Sequence, residues 1–333
     1  MRYIGLDLHK HTLEVCALDR HGKRLFRLSV DCQRPALEQF ARQHLRKTDA
    51  LAVEATTNTW AVVDILRPFV ARIVVSNPLQ TKAIAQAKVK TDKIDAFVLA
   101  QLLRCGYLPQ VWQPDAQTQQ LRHLTTVRSS LVGDRTRIKN RLQSLLAGLL
   151  ITPPFKVLFT KQGLAWLREV PLPEDARLTV DGHLRLLEAV EHELAELDVK
   201  LMQLAHDNTQ VKLLMTLPGV AHGVALTLLA ALGDVSRFKV GDHAASYLGL
   251  VPSTRQSARH CYHGSITRAG CSQTRSMLTQ AAQSAADHPG PIGAFFRGLR
   301  KRKSRNVAIV ATARKLVTIA FLMLKNNEPY RYA

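Results

Sequence analysis

Apolar and polar residues alternate in the first third of the chain, with the period of two that β-strands show. Three such segments follow one another: residues 3–8, 13–18 and 25–30. They predict three antiparallel strands, with a turn at His21 and Gly22 before the third. A helix-like stretch at 35–46 precedes two short apolar runs, 51–53 and 73–75. The segment between these two runs is long enough for about one helix. Strands followed by a strand–helix–strand unit predict a mixed α/β sheet.

The middle of the chain instead carries a helical pattern, with apolar residues three, four and seven apart. The first seam consists of Leu121, Leu124, Leu131, Ile138, Leu142, Leu145 and Leu149. The second consists of Leu187, Val190, Leu194, Leu197, Leu201 and Leu204. Prolines at 153–154, 171 and 173 break the chain between the two seams. The pattern predicts two long helices of the coiled-coil type, which pair either with each other or between subunits.

The charge of the chain points to a polyanionic partner. Of 333 residues, 46 are lysine or arginine and 26 are aspartate or glutamate, a formal net charge of +20. The excess is concentrated, because residues 242–333 hold 14 basic and 3 acidic residues, a local net charge of +11. Such a distribution is typical of nucleic-acid binders. A membrane partner is a poorer fit, because no uninterrupted apolar run of about 18 residues occurs.

Length and cysteine content bound the architecture. We expect an α/β domain at 1–112, a helical connector at 113–210 and a mainly α-helical domain at 211–333, because 333 residues exceed one ordinary domain. Five cysteines without a CxxC pair argue against a disulfide framework and a zinc ribbon, and they fit a reducing cytoplasm. The histidines and cysteines at 260–271 do not match a common zinc spacing either.

Four acidic residues occupy positions that suit a metal-dependent nuclease. Asp7 lies in the first predicted strand, and Glu54 ends the strand at 51–53. Asp92 and Asp95 stand three apart at the start of a predicted helix, so they share one helical face. Two divalent cations held by such carboxylates can clamp the attacking and leaving oxygens of a phosphodiester. Singly, each acid also fits a surface or helix-capping role. Their order is what a ribonuclease-H-like nuclease core needs.

Two C-terminal segments suit contact with phosphates. The turn at 217–223 resembles a helix-hairpin-helix turn, whose backbone N–H groups approach a phosphate, although an ordinary interhelical turn has the same pattern. A basic run precedes an apolar helix at 307–324 and comprises Arg297, Arg300, Lys301, Arg302, Lys303 and Arg305. We expect this run to contact phosphates, and a solvated charge run is the alternative.

Several motifs together resemble one known family. They are IGLDLHKHTLEV, VEATTNTW, KTDKIDA, TLPGVAHGVALTLLAALGD, SYLGLVPSTRQS, HGSITRAG and RSML, which occur in this order over nearly the whole chain. The combination resembles the DEDD transposases of the insertion-sequence 110 family. The resemblance implies a RuvC-like N-terminal domain, a coiled-coil connector and a C-terminal transposase domain that supplies a nucleophilic serine.

The resemblance also implies the site and its partners. The four acids correspond to Asp7, Glu54, Asp92 and Asp95 as ligands of Mg²⁺, with Mn²⁺ as an alternative. The partners are donor and target DNA and a bridge-type noncoding RNA whose loops pair with both DNAs. The two apolar seams also make a homo-oligomer, either a dimer or a tetramer, an expected form of the protein.

The serine is located by its flanking motifs. The family usually carries a Ser-Ser-Gly step between GLVP and ITRAG, and the count from either motif places its second serine at Ser257. This chain reads Gln-Ser-Ala there, so Ser253 is the alternative nucleophile. A serine hydroxyl needs a base, a metal or nearby cations. The cations expected to bind nucleic acid are Arg255, Arg259, Arg268, Arg300, Lys301, Arg302 and Lys303.

The sequence therefore predicts an RNA-guided DNA transposase or recombinase in which Ser257 forms a covalent intermediate. One rival is a metal-dependent endonuclease of the Holliday-junction type, in which water attacks the phosphodiester. The other rival is a basic, non-enzymatic nucleic-acid scaffold, which has no use for four clustered acids.

Overall fold

A computed structural model of the chain describes residues 1–84, 92–257 and 260–332. Arg259 and the side chains of Asp92 and Ser257 lie outside the described part. The chain divides into two compact units, Met1–Gln113 and Pro114–Ala333. The three-part division expected from the sequence stays a prediction.

The first unit is a mixed α/β fold around one sheet. Its strands, among the described residues, are Tyr3–Leu8 (β1), Thr12–Leu18 (β2), Arg24–Asp31 (β3), Ala50–Glu54 (β4) and Arg72–Ser76 (β5). Its helices are Arg34–His44 (α1), Thr59–Leu66 (α2), Pro78–Ile84 (α3) and Asp92–Cys105 (α4). The strand order is β3-β2-β1-β4-β5, with antiparallel pairs from β3 to β1 and parallel pairs from β1 to β5. This confirms the mixed sheet predicted from the period-two pattern.

Alternating side chains give the sheet two apolar faces. One face, which includes Ile4 and Leu6, packs against α1 and α2. The opposite face, which includes Ala50 and Ala52, packs against α4. Successive side chains of a strand point to opposite faces, so the residues of β1 that alternate with Leu6 point toward α4.

The second unit is rich in helices. Its long helices are Ala116–Gly148 (α5) and Glu174–His206 (α7), with Lys161–Glu169 (α6) between them. The other helices are Thr209–Met215 (α8), His222–Leu232 (α9), Gly241–Tyr247 (α10), Ser272–Ala286 (α11), Pro291–Arg300 (α12) and Arg305–Asn326 (α13). A hairpin of Pro252–Ser257 (β6) and His260–Ile266 (β7) lies between α10 and α11. The expectation of a mainly α-helical C-terminal part is confirmed.

The two long helices pack antiparallel within one chain. Arg128 of α5 pairs with Asp198 of α7 at 2.5 Å, and Lys139 further along α5 pairs with Glu191, earlier in α7, at 3.2 Å. Of the two arrangements that the sequence left open, the structure therefore contains the pairing within the chain.

The buried face of α5 departs from strict seven-residue spacing. Leu121, Ile138 and Leu142 are buried as predicted, but near the end of the helix Leu146 is fully buried and Leu145 only partly, and Leu149 lies beyond the last residue of α5. A straight α-helix has 3.6 residues per turn, so a strict heptad drifts by about 20° every seven residues. The drift moves the later seam positions away from the neighbouring helix.

The core of the second unit includes α9 and α13. Among the described residues, α13 is the one helix that is long enough and, on average, apolar enough to cross a membrane. Arg314 and Lys315 interrupt the run but leave its average apolar. The helix packs against α10, α11 and α12, and 56 % of its apolar window is buried in the unit. We therefore interpret α13 as a core helix.

Packing accounts for one glycine of the turn between α8 and α9. Gly219 has a φ of +79°, and a Cβ there would lie 2.2 Å from the carbonyl oxygen of Ala281 in α11. A glycine is thus needed for both the backbone conformation and the approach to α11. Phosphate contact by this turn stays a prediction.

A methyl group at Gly5 is expected to destabilise the first unit. A Cβ at this position of β1 would lie 1.9 Å from the Ala96 carbonyl oxygen and 2.6 Å from the Ala100 nitrogen, both in the backbone of α4. Gly5→Ala must therefore push α4 off the sheet, and we expect a cost of about 1–3 kcal/mol in the free energy of unfolding. Urea unfolding measures it. Gly148→Ala is the control, because its Cβ would meet nothing within 4 Å. Equal stability of the two variants would contradict this packing.

Candidate active site and nucleic-acid interface

Asp7 and Glu54 lie at the same level on neighbouring strands. The parallel pair β1 and β4 has Leu6 opposite Val53, so the next residues of the two strands are Asp7 and Glu54. Both lie on the sheet face that α4 covers. The side chain of Asp7 is only 14 % exposed. Adjacent strand positions thus turn both carboxylates toward α4.

A hydrogen-bonded turn fixes the backbone at Glu54. The hydroxyl of Thr59 donates to the Glu54 carbonyl at 2.9 Å and accepts from the Thr56 N–H at 2.7 Å. Asn58, in the same turn, donates to the His9 carbonyl at 3.1 Å. The VEATTNTW segment therefore ties the end of β4 to the chain that leaves β1.

The start of α4 brings a third acid to the same face of the sheet. Asp95 lies one turn into the helix and lines a cavity of about 190 Å³ together with Glu54, Thr81 and Lys82. Position 92 shares the helical face of Asp95 by its spacing of three. The structure therefore brings Glu54 and Asp95 to one cavity, with Asp7 on the adjacent strand.

The donors of this region suit a hard divalent cation. Carboxylate oxygens are ordinary ligands of such a cation, and hydroxyl oxygens can form hydrogen bonds with the waters that it binds. The hydroxyl oxygens of Ser76 and Thr81 are buried without a hydrogen-bond partner, and Ser76 pairs with Glu54 between β5 and β4. Over the described residues, no three histidine, cysteine, aspartate or glutamate side chains gather closely enough to hold a metal ion. The side chain of Asp92 lies outside these described residues.

Sequence reasoning overlooked two residues beside the acids. His9 Nε2 lies 3.1 Å from Asp7 Oδ2, and Lys82 lines the cavity with Glu54 and Asp95. The spacing of two between Asp7 and His9 was a usable signal, because alternate residues of an extended chain point to one side. No local signal marks Lys82, since tertiary folding alone brings α3 to the acids.

The candidate serines lie on the hairpin of the second unit. Ser257 pairs with His260, the last pair at the tip of the hairpin. Ser253 lies near the base, where the strand pairing shifts its register. Four residues of extended chain, about 13 Å, separate the two serines. The hairpin therefore presents them at different ends.

Two of the arginines expected to bind nucleic acid also lie at different ends of the hairpin. Arg255 is exposed and lies on β6, two residues before Ser257. Arg268 follows β7 at the base, with a φ of +55°, and its N–H donates to the Gly249 carbonyl at 3.2 Å. The length of β7, about 20 Å, separates Arg268 from the tip.

The basic run forms an exposed turn between two helices. Helix α12 ends at Arg300 and α13 begins at Arg305, with Lys301, Arg302 and Lys303 between them. All five side chains are exposed, and the Arg300 guanidinium closes the turn by donating to the Lys303 carbonyl at 2.9 Å. The turn therefore presents concentrated positive charge to solvent, as a phosphate-binding segment requires.

Several known proteins are similar to this chain over nearly its whole length. A DEDD transposase family model of insertion sequence 110 matches residues 4–151, and a model described as "Transposase IS116/IS110/IS902 family" matches residues 211–297. A "Probable family 20 transposase" of Pseudomonas aeruginosa is 27 % identical over 98 % of both chains. A "Pilin gene-inverting protein" of Moraxella bovis is 26 % identical over 98 % of this chain and 97 % of its own. The "Transposase for insertion sequence element IS1111A" of Coxiella burnetii is 23 % identical over 99 % and 92 %, respectively.

The class of the protein follows from these matches: it is a transposase, an enzyme that cleaves and rejoins DNA. DEDD transposases depend on a divalent metal ion, so the match to their family model implies the same dependence here. The chain belongs to the IS110 family of DEDD transposases.

Proposed function

We propose that this transposase is an RNA-guided recombinase with a composite site of four acids and one serine. The observation that carries the proposal is the convergence of Asp7, Glu54 and Asp95 on one face of the sheet beneath α4. In this proposal the first unit is a RuvC-like nuclease domain, Asp92 is its fourth acid, and α5 and α7 form a coiled-coil connector.

The acids have the task of holding Mg²⁺, for which Mn²⁺ can substitute. Bound there, the metal neutralises charge on the phosphodiester and favours displacement at phosphorus. The strand pairing and the Thr59 hydrogen bonds keep Glu54 in position. His9, 3.1 Å from the Asp7 carboxylate, orients that side chain.

Ser257 is the proposed nucleophile. Its Oγ forms a bond to phosphorus while the bond from phosphorus to the leaving strand oxygen breaks. The proton of the serine hydroxyl passes, directly or through water, to that leaving oxygen. Arg255 and Arg259 flank the serine in sequence and can stabilise the developing negative charge. A strand-end hydroxyl reverses the attack on the phosphoserine and thereby rejoins DNA.

The proposed partners are donor DNA, target DNA and a bridge-type RNA. The net charge of +20 and the exposed basic turn support contact with phosphates, and the guide RNA rests on the family resemblance. Arg268 belongs to the binding set as a contact at the hairpin base. The acids and the serine lie in different units, so a homo-oligomer, dimer or tetramer, can assemble the site within a chain or between chains. Association with the bacterial nucleoid follows from such partners.

Trapping of a covalent adduct tests the proposal. The protein, with the RNA that copurifies, is incubated with element DNA and Mg²⁺ and then denatured. A protein–DNA adduct that survives denaturation supports serine attack, whereas cleaved DNA without an adduct supports the endonuclease in which water attacks. Binding without cleavage supports the scaffold. Sequencing of the copurified RNA tests the guide, which requires one structured RNA to be enriched over bulk RNA.

Reversing the charge of the basic turn is expected to flatten the salt dependence of DNA binding. Each phosphate contact contributes about 0.9 to the slope of log affinity against log salt on duplex DNA. Replacement of Arg300, Lys301, Arg302 and Lys303 by glutamate should therefore lower the slope by roughly 2–4. Fluorescence anisotropy at several salt concentrations measures the slope. Charge reversal at Arg34 and Arg42 on α1 is the control. If it lowers the salt slope by the same amount, the basic turn makes no particular contact with phosphates and is simply solvated.

A further inference from the structure

A buried hydroxyl in the acid-lined cavity makes no hydrogen bond within the protein. Thr81 of α3 is 4 % exposed, and its Oγ1 has no hydrogen-bond partner. Three other buried threonines in helices, Thr125, Thr227 and Thr312, donate to a carbonyl four residues earlier, as Thr312 does to Ala308 at 2.9 Å. A buried polar atom that lacks a partner destabilises a fold, so its presence calls for an explanation.

The position of Thr81 suggests what the hydroxyl serves. It lines the cavity of about 190 Å³ with Glu54 and Asp95, two of the four acids. Ser76, the only other side-chain oxygen without a partner among the buried groups of the described residues, pairs with Glu54 across β5 and β4. Both hydroxyls thus belong to the segment that leads from β5 into α3, beside the acids.

Magnesium loses its waters reluctantly and is usually held by one or two carboxylates while it keeps several of them. These waters need acceptors around the site, and such outer contacts tune metal affinity. This cavity offers two carboxylates that can hold the ion. It also offers a hydroxyl, without a hydrogen-bond partner in the protein, that can accept a hydrogen bond from one of its waters. Lys82 at the same cavity is exposed, so its ammonium group can remain in solvent.

We infer that Thr81 is a positioning residue for the metal: its hydroxyl accepts a hydrogen bond from a water in the hydration shell of a divalent ion at Glu54 and Asp95. The inference rests on the proposed metal site and extends it to α3. Under this inference Thr81 differs from an ordinary core residue. Its hydroxyl contributes to binding of the ion, and it lowers the stability of the protein when the ion is absent.

Isosteric removal of the hydroxyl tests this. We expect Thr81→Val to leave the melting temperature of the metal-free protein unchanged or raised, because an unsatisfied buried oxygen is lost. The Kd for Mn²⁺, followed by electron paramagnetic resonance on the full chain, should rise roughly 10–100-fold. Thr81→Ser should restore binding to near the original value. Thr312→Val is the matched control, expected to lower the melting temperature and leave the Kd for Mn²⁺ unchanged.

The outcomes separate this inference from the proposed function. Unchanged Mn²⁺ affinity in Thr81→Val, with affinity lost in Asp95→Asn, overturns the role of Thr81 and leaves the metal site standing. Loss of stability in metal-free Thr81→Val also overturns it, because the hydroxyl would then serve the fold. If Asp95→Asn binds Mn²⁺ as the unaltered protein does, the proposed metal site itself fails.

Discussion

Strand cleavage is expected to fall by roughly a thousandfold or more when Asp7 is replaced by asparagine, since loss of even an outer contact to a bound metal costs about 10–100-fold. The amide keeps the shape of the carboxylate and removes the charge that attracts the cation. Glu54→Gln, Asp92→Asn, Asp95→Asn and the four alanine variants should behave alike. Cleavage of labelled element DNA in Mg²⁺ measures the effect.

The fold should survive these changes. Carboxylates held close together repel one another, so removal of one charge is not expected to lower the melting temperature of the metal-free protein. Glu38→Gln is the control, because Glu38 lies on the surface of α1 near Arg34 and Arg42, on the opposite side of the sheet from α4. Near-normal cleavage by any one of the four acid variants would remove that residue from the site.

Local periodicity was sufficient to predict an element wherever one face of that element is buried and the other is exposed. The period of two in β1, β2 and β3 and the apolar runs of β4 and β5 predicted the sheet, and the leucine pattern predicted α5 and α7. Strict heptads failed toward the end of α5, where Leu146 is fully buried and Leu145 only partly, because a straight helix does not keep a period of seven. Helix α6 was not predicted, since it occupies the short segment that the prolines were expected to keep open.

The site was predictable to the extent that strand ends and helix starts can be found in sequence. The order of Asp7, Glu54 and Asp95 indicated that the carboxylates belong together, and the register of β1 with β4 explains why two of them stand level. The position of Thr81 and Lys82 beside the acids could not be found this way, because α3 reaches the acids only in the folded chain. Arg268 is near Ser257 in sequence but lies at the other end of the hairpin, and its contact with nucleic acid stays a prediction.

The serine and the RNA could not come from periodicity or spacing at all. An isolated serine in a basic hairpin has no local property that marks a nucleophile, so Ser257 rests on its distance from two motifs. The structure sharpens the choice between the two serines, because it assigns Ser257 to the tip of the hairpin and Ser253 to the base. A direct chemical test can therefore distinguish them.

Ser257→Ala is expected to eliminate the covalent adduct and recombination while RNA and DNA binding persist. Only one oxygen atom is lost, at a strand position where the backbone pairs with His260, so the hairpin should keep its shape. A residue that forms the intermediate has no substitute. A serine that only donates a hydrogen bond to a phosphate contributes about 1.5–3 kcal/mol, or roughly tenfold to a hundredfold in affinity.

Ser253→Ala is the matched control, and we expect a mild effect on adduct yield. Adduct yield on denaturing gels and binding by anisotropy separate chemistry from affinity, and peptide mapping of the trapped adduct identifies the linked residue. The two serines share one hairpin, about 13 Å apart along β6, so a substitution that merely disturbs the hairpin should affect both readouts in both variants. A phosphodiester bond found on Ser253, or on a residue outside 253–257, would show that the count from the flanking motifs misplaced the nucleophile.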